Sequence, residues 1–126
     1  MNKRKVTTSK EILHNLEYEA ITVTLDSSTV GKKVIPAGTV LAGVSDSVFK
    51  DRKQKVKTVA NHEVSGESNI CGILLTDVDL TDGDKAGACV YRGTVNADKL
   101  ADSSIAENFT ELATKLPHVV FIKGGK

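Results

Sequence analysis

Apolar and polar residues alternate along much of this chain with the two-residue period of β-strands. Between residues 18 and 25, Ile21, Val23 and Leu25 lie on one side of the chain and the small or polar Ala20, Thr22 and Thr24 lie on the other, which predicts a half-buried strand. A strand begins at Val34, breaks at Pro36, which cannot donate to a ladder, and resumes at 39–42. Residues 56–59 and 118–122 predict two further short strands.

Two longer apolar runs, at 72–80 and 88–95, flank the dipeptide Asp82-Gly83. Glycine accepts the positive φ of a tight hairpin turn, and aspartate closes hydrogen bonds on its own backbone, so the pair predicts a β-hairpin. Two-residue hairpin geometry would pair residues whose numbers sum to about 167. Both runs are apolar on both faces, so we expect them to be buried on both sides or covered by a helix.

The period changes to that of a helix after residue 103. Ser104 followed three positions later by Glu107 is typical of a capping box, and Pro117 ends the pattern. The sequence therefore predicts one helix at 103–116 that lies across the sheet. Its apolar side has to cover an apolar hairpin face, which predicts a single core cluster. The predicted members of this cluster are Ile73, Leu75, Val90, Phe109 and Leu112.

The first sixteen residues have weak periodicity and no apolar stretch of the kind found in signal peptides. We therefore predict an extended N-terminal arm at 1–16, followed by a single β-rich domain at 17–126, in a protein made and kept in a cytoplasm. The fold class is mainly β (α+β): a small β-sandwich or barrel-like domain with one helix near the C-terminus. The local pattern is least clear in the middle of the chain, residues 43–68, where the apolar anchors are Val44, Val48 and Phe49.

Charge is distributed unevenly, although the formal net charge is only +1. Residues 1–60 carry 11 Lys and Arg against 6 Asp and Glu, with the surplus in the arm and at 50–57. Such stretches contact nucleic acid or acidic proteins, or are a solvated tail and a charged edge strand or loop. A nucleic-acid-binding β-module is therefore one alternative, weakened by the absence of Trp and an aromatic content of 4%. It would use Lys3, Arg4, Lys5, Arg52, Lys53, Lys55 and Lys57.

Candidate chemistry is sparse. The four carboxylates from Asp77 to Asp84 do not follow the EF-hand spacing. Counted from Asp77, Gly83 is in the seventh place and not the sixth, and the twelfth place, which needs a glutamate, has Ala88. The three histidines lie in separate segments, which argues against a metal site. Cys71 and Cys89 lie in apolar runs and are expected to be buried free thiols, kept apart by the hairpin register. We find no catalytic site and expect neither enzymatic activity nor a cofactor.

The segments 35–41, 72–84 and 93–100 together resemble the small head decoration (capsid-stabilising) proteins of tailed bacteriophages. This resemblance implies a structural virion protein that binds the major capsid protein on the capsid exterior at local three-fold positions. It also implies a homotrimer, assembled in the host cytoplasm with neither membrane nor nucleic acid as partner. The chain departs from the best-known such protein in its predicted helix and in 50–57. The base or capsid-binding domain of a phage head fibre is the alternative within phage biology.

In that family an extended N-terminal arm commonly reaches the capsid and adds a strand to its sheet. Here the arm combines a basic tripeptide with three residues, two of them threonines and all β-branched, that have the β-propensity needed for strand addition. The predicted capsid-binding residues are Lys3, Arg4, Lys5, Val6, Thr7 and Thr8.

Overall fold

Five strands close into a barrel in the computed structural model of this chain, which describes residues 12–13, 17–107 and 109–123. The strands are β1 (Glu19–Leu25), β2 (Val34–Ile35), β3 (Val40–Gly43), β4 (Lys55–Thr58), β5 (Ile70–Leu74), β6 (Val78–Asp79), β7 (Lys85–Asn96) and β8 (Val119–Ile122). The helices are α1 (Ser27–Val30), α2 (Ser103–Glu107) and α3 (Thr110–Lys115), with 3-10 turns at Asn61–Glu63 and Ala97–Lys99.

The order of strands around the barrel is β1-β4-β3-β5-β7, and β7 pairs again with β1. β1–β4 is parallel and the other barrel pairs are antiparallel. β8 extends the sheet by pairing in parallel with the C-terminal half of β7, while β2 and β6 form a separate small sheet. The mainly β, barrel-like fold predicted from the alternation is confirmed, as is the break between β2 and β3 at Pro36.

Two apolar clusters lie on opposite faces of the barrel wall. One fills the interior and takes a buried side chain from each of the five barrel strands, including Leu25, Leu41 and Leu74. The other lies outside β3, β5 and β7 and is covered by α2, α3 and β8. This explains why β5 and β7 are apolar on both faces, as the sequence indicated. The predicted cluster is confirmed: Ile73, Val90 and Leu112 are buried members of the outer group, and two partly buried residues, Leu75 and Phe109, pack against it.

The predicted hairpin is wrong in its register. β5 pairs with β7 through Ile73↔Val90 and Leu74↔Cys89, and the chain between them forms β6, which pairs with β2. Gly83 does have a φ of 125° and donates its N–H to the carbonyl of Leu80 at 3.0 Å. The predicted turn at Asp82-Gly83 therefore forms, but it connects β6 to β7, since residues 78–79 pair with β2 and not with β7.

Cys71 and Cys89 face each other, which the predicted register excluded. Opposite β3, Leu41 pairs with Gly72 and the next residue pairs with Ile70, so Cys71 is the extra residue of a β-bulge. The bulge turns Cys71 into the barrel, where its Sγ lies 3.4 Å from Cys89 Sγ. Both cysteines are free and buried, as predicted. The hydrogen bond to Cys71, together with burial, raises the pKa of Cys89.

The single predicted helix is instead two short helices, α2 and α3, with Phe109 between them at φ −99° and ψ 16°. The predicted capping box is also wrong, because Ser104 lies inside α2. Asp102 has the capping role: its Oδ1 accepts the backbone N–H of Ser104 at 2.9 Å. The break lets Phe109 turn toward Phe121, with their ring centroids 5.6 Å apart.

Candidate functional site

The predicted capsid-binding residues, Lys3 to Thr8, lie outside the described residues, but the root of the arm is described. Ile12 is fully buried, and its carbonyl accepts the backbone N–H of Asn96 at 2.8 Å. Leu13 is 7% exposed and forms an antiparallel bridge with Val95 on β7. These two residues were assigned to the arm, yet they belong to the outer core cluster. An attachment role for the arm therefore rests on residues before Ile12.

Three basic side chains of the stretch at 50–57 each contact a different partner within the domain. Lys55 pairs with Asp84 at 2.7 Å and Lys57 with Glu67 at 3.1 Å. Arg52 Nη2 donates to a backbone carbonyl of β1 at 3.3 Å. β4 has a solvated lysine side, as the alternation indicated, but it lies between β1 and β3 and is not the predicted edge strand. Two of the lysines proposed for nucleic-acid binding are thus neutralised locally.

Asp84 fastens β7 to the rest of the barrel near α1. Its Oδ1 accepts the backbone N–H of Ser27 at 2.7 Å and the Ser27 hydroxyl at 2.8 Å, while Oδ2 accepts Lys55 Nζ at 2.7 Å. The hydrogen bond from Lys55, followed by those from Ser27, holds the pKa of Asp84 far below its ordinary value. This carboxylate is therefore a structural acceptor.

Two neighbouring carboxylates also accept hydrogen bonds, Asp77 from a distant segment and Asp79 from its own turn. Asp77 accepts the backbone N–H of Ala37 at 2.8 Å, and Asp79 accepts both the N–H and the hydroxyl of Thr81. Within 12–13, 17–107 and 109–123, no group of three or more His, Cys, Asp or Glu side chains is placed to hold a metal ion. Over the same ranges, no helix is long and apolar enough to cross a bilayer.

An exposed surface that the sequence did not reveal lies where β1, β7 and β8 meet the loop before β4. Phe49, predicted as an apolar anchor, is 50% exposed and packs edge-on against Tyr91 with ring centroids 5.4 Å apart. Tyr18 and Val120 are 40% and 58% exposed. We call this surface the aromatic face, and it comprises Tyr18, Phe49, Tyr91, His118 and Val120.

Two adjoining depressions shape the aromatic face, and His118 lines both of them. One, of about 450 Å³, lies between Tyr18 and Val120. The other, of about 290 Å³, lies beside Phe49 and Tyr91 and has a mostly apolar lining. The sequence could not reveal this surface, because its members come from four segments that are far apart along the chain.

Gly93 is the residue that lets the aromatic face form. Its φ is 146°, and an added Cβ would lie 2.9 Å from Tyr18 Cβ, which is closer than real contacts allow. The backbone N–H of Gly93 donates to the His118 carbonyl at 3.2 Å. Glycine at this position therefore lets the chain entering β1 and the chain entering β8 approach the same point on β7.

Comparison with known proteins gives one family. The family model described as Bacteriophage lambda head decoration protein D matches residues 7–116 of the chain. The matched region starts inside the predicted arm, includes the barrel and the helices α1, α2 and α3, and ends before β8. A search of curated proteins produced no match.

Proposed function

Because this chain belongs to the family of the bacteriophage lambda head decoration protein D, we propose that its arm attaches it to the major capsid protein as a trimer. The attachment residues in this proposal are those of the arm before Ile12, namely Lys3, Arg4, Lys5, Val6, Thr7 and Thr8.

The family itself gives the function at a coarser level. The protein is a structural head decoration protein that binds the surface of a phage capsid and stabilises it, and it is not an enzyme. The finer proposal concerns the part of the chain that makes the contact, the number of copies, and assembly in the host cytoplasm.

The anchoring of the arm is the observation that carries the attachment proposal. An arm can hold the domain on the capsid only if its C-terminal end is fixed to the domain. That end is fixed by the buried side chains of Ile12 and Leu13 and by the hydrogen bond from the Asn96 N–H to the Ile12 carbonyl. β7 receives that root and also pairs with β1, β5 and β8. A pull on the arm would therefore act on the strand that holds the barrel together.

The composition of the arm suits a strand that joins another sheet. Val6, Thr7 and Thr8 are β-branched residues, which are favoured in strands, and strand addition gains main-chain hydrogen bonds that need no particular side chain. The adjoining Lys3, Arg4 and Lys5 would add attraction to acidic groups on the capsid.

A trimer would strengthen weak attachment through avidity. Three arms on one assembly convert the second and third contacts into intramolecular events, so modest single contacts give durable binding. A cyclic trimer also matches a local three-fold position, where three equivalent capsid subunits present the same surface.

Truncation at two points tests the arm. We expect a chain lacking residues 2–11 to fold normally by circular dichroism and thermal melting but to fail to bind undecorated capsids in co-sedimentation. A chain lacking residues 2–16 also loses Ile12 and Leu13, so it should lose stability as well. Full capsid binding by the folded 2–11 deletion would refute the proposal.

Substitutions inside the arm separate its two components. Thr7→Pro removes a backbone donor and should weaken capsid binding, whereas the matched Thr7→Val keeps β-propensity and should retain it. Replacing the three basic residues with alanine should instead make binding weaker at low salt and less dependent on salt. Equal binding by the proline and valine variants would contradict strand addition.

Electron microscopy of decorated capsids tests the trimer. We expect density for three copies around each occupied three-fold position, and sedimentation of free protein will show whether they associate before binding. Isolated single copies, or one long projection at each hexamer centre, would contradict the proposal, and the projection would favour a head fibre.

A further inference from the structure

We propose that the aromatic face is the surface through which neighbouring copies of this chain contact one another on the capsid. This inference rests on the proposed function only in that several copies gather at one capsid position. Of the aromatic face, Val120 and His118 lie beyond the region matched by the family model, and the other three residues lie within it.

Exposed apolar residues are concentrated on this face. Among the described residues, four large hydrophobic side chains are exposed, and three of them, Tyr18, Phe49 and Val120, belong to the aromatic face. The fourth, Val34, lies in the small sheet and lines a different depression. Clustering of exposed apolar groups marks interaction surfaces on proteins, whereas single ones are ordinary.

Charged groups of both signs surround the apolar centre. Glu19 accepts the phenol of Tyr91 at 3.1 Å, and Arg92 and Lys115 line the two depressions. The hydrogen bond to Glu19 raises the pKa of Tyr91, so the phenol stays a neutral donor at physiological pH. An apolar, partly aromatic centre within a charged rim is the usual anatomy of a protein–protein contact.

A second copy of this chain is the occupant that these charges favour. A rim with only basic groups would call for an acidic partner, but a rim with Glu19 beside Arg92 and Lys115 carries its own complement. Copies rotated about a common axis can place the acidic part of one rim against the basic part of the next. Such a contact between copies closes a ring without leaving an unpaired face.

The small size of the apolar centre fits contact that forms on the capsid. Stable interfaces in solution bury about 800 Å² per partner, and the aromatic face has three large exposed side chains. Capsid attachment holds copies side by side and raises their effective concentration, roughly to the millimolar range for short tethers. Weak contacts between copies then become populated on the capsid and stay rare in dilute solution.

Cross-linking on capsids tests the inference with a matched control. Val120→Asp and Phe49→Asp place a charge in the centre of the face, while Val34→Asp places one at a position of similar exposure, 54% against 58% for Val120. Wild type and Val34→Asp should give cross-linked dimers and trimers of the decoration protein. In both face variants we expect these products to fall at least tenfold, with single copies still bound.

Three outcomes would overturn the inference: unchanged cross-linking in both face variants, equal loss in the Val34 control, or cross-links from the face to the capsid protein alone. Circular dichroism checks folding, and Phe49→Ala, a milder change, replaces Phe49→Asp if the latter unfolds. The arm proposal fails separately, because it predicts loss of capsid binding in the 2–11 deletion, whereas this inference predicts loss of contact between bound copies.

Discussion

Replacing Gly72 with alanine should break the packing between β5 and β7. A Cβ at this position would lie 2.7 Å from Cys89 Sγ and 2.8 Å from the carbonyl carbon of Val90, and still closer to the Val90 oxygen. The cysteine could rotate, but the carbonyl is part of β7, and Val90 pairs with Ile73 next to Gly72. The strands must therefore separate locally to admit one methyl group.

The size of the effect follows from what has to move. Overpacking costs about 1–3 kcal/mol when side chains can adjust, and a backbone clash belongs at or above the top of that range. Alanine also restricts the unfolded chain, which returns only about 0.4–1 kcal/mol. We therefore expect Gly72→Ala to lower the free energy of unfolding by roughly 3 kcal/mol, equivalent to about a 10 °C fall in Tm for a domain of this size.

Urea unfolding followed by far-UV circular dichroism measures this loss, with Gly66→Ala as the control. A Cβ at Gly66 meets no atom within 4 Å, so this variant should stay within about 0.5 kcal/mol of wild type or be slightly more stable. A loss below about 1 kcal/mol for Gly72→Ala, with an unchanged dependence on urea, would show that β5 moves aside freely. The inference that β5 and β7 are too closely packed at Gly72 to admit a methyl group would then be refuted.

Three further predictions follow from burial and charge. Leu112→Ala should lower the free energy of unfolding by about 2–5 kcal/mol in urea melts. Phe109→Ala, at a half-buried position, should lower it by about half as much, and equal losses would contradict the difference in burial between the two residues. Asp84 has a folded pKa below its unfolded one, so its stabilisation is present above about pH 4 and disappears as the pH falls toward the folded value. Tm should accordingly fall less steeply on acidification in Asp84→Asn than in wild type, and parallel curves would refute this. Cys71 and Cys89 should react with a thiol reagent only after unfolding, and rapid labelling of native protein would show that the barrel opens.

The sequence by itself determined most of the strands. β1, β3, β4 and β8 lie where alternation or short β-branched runs predicted them, because the two faces of a strand differ in burial at every second residue. Gly83 lies in the turn that Asp82-Gly83 indicated, since positive φ is a local property. The resemblance to head decoration proteins was also correct, because the segments that carry it are fold motifs.

Local sequence patterns could not predict which strands pair with one another. The same apolar run at 72–80 supports a hairpin with β7 or two shorter strands, and the choice depends on β2, which is some forty residues away in the chain. The β-bulge at Cys71 then brings the two cysteine side chains together inside the barrel, and nothing in the hydrophobic pattern indicates a bulge there. Similarly, the helical period continues through Phe109, although its contact with Phe121 accompanies a break.

Surfaces depended entirely on the tertiary structure. The sequence could identify a basic, β-prone arm as an attachment candidate, because its residues are contiguous. It could not show that Ile12 and Leu13 are core residues, since their burial exists only beside β7. The aromatic face likewise exists only after the barrel closes, because Gly93 brings distant segments together at one point on β7. Composition and periodicity determine what each segment buries, whereas long-range pairing decides which segments meet and which apolar residues remain exposed.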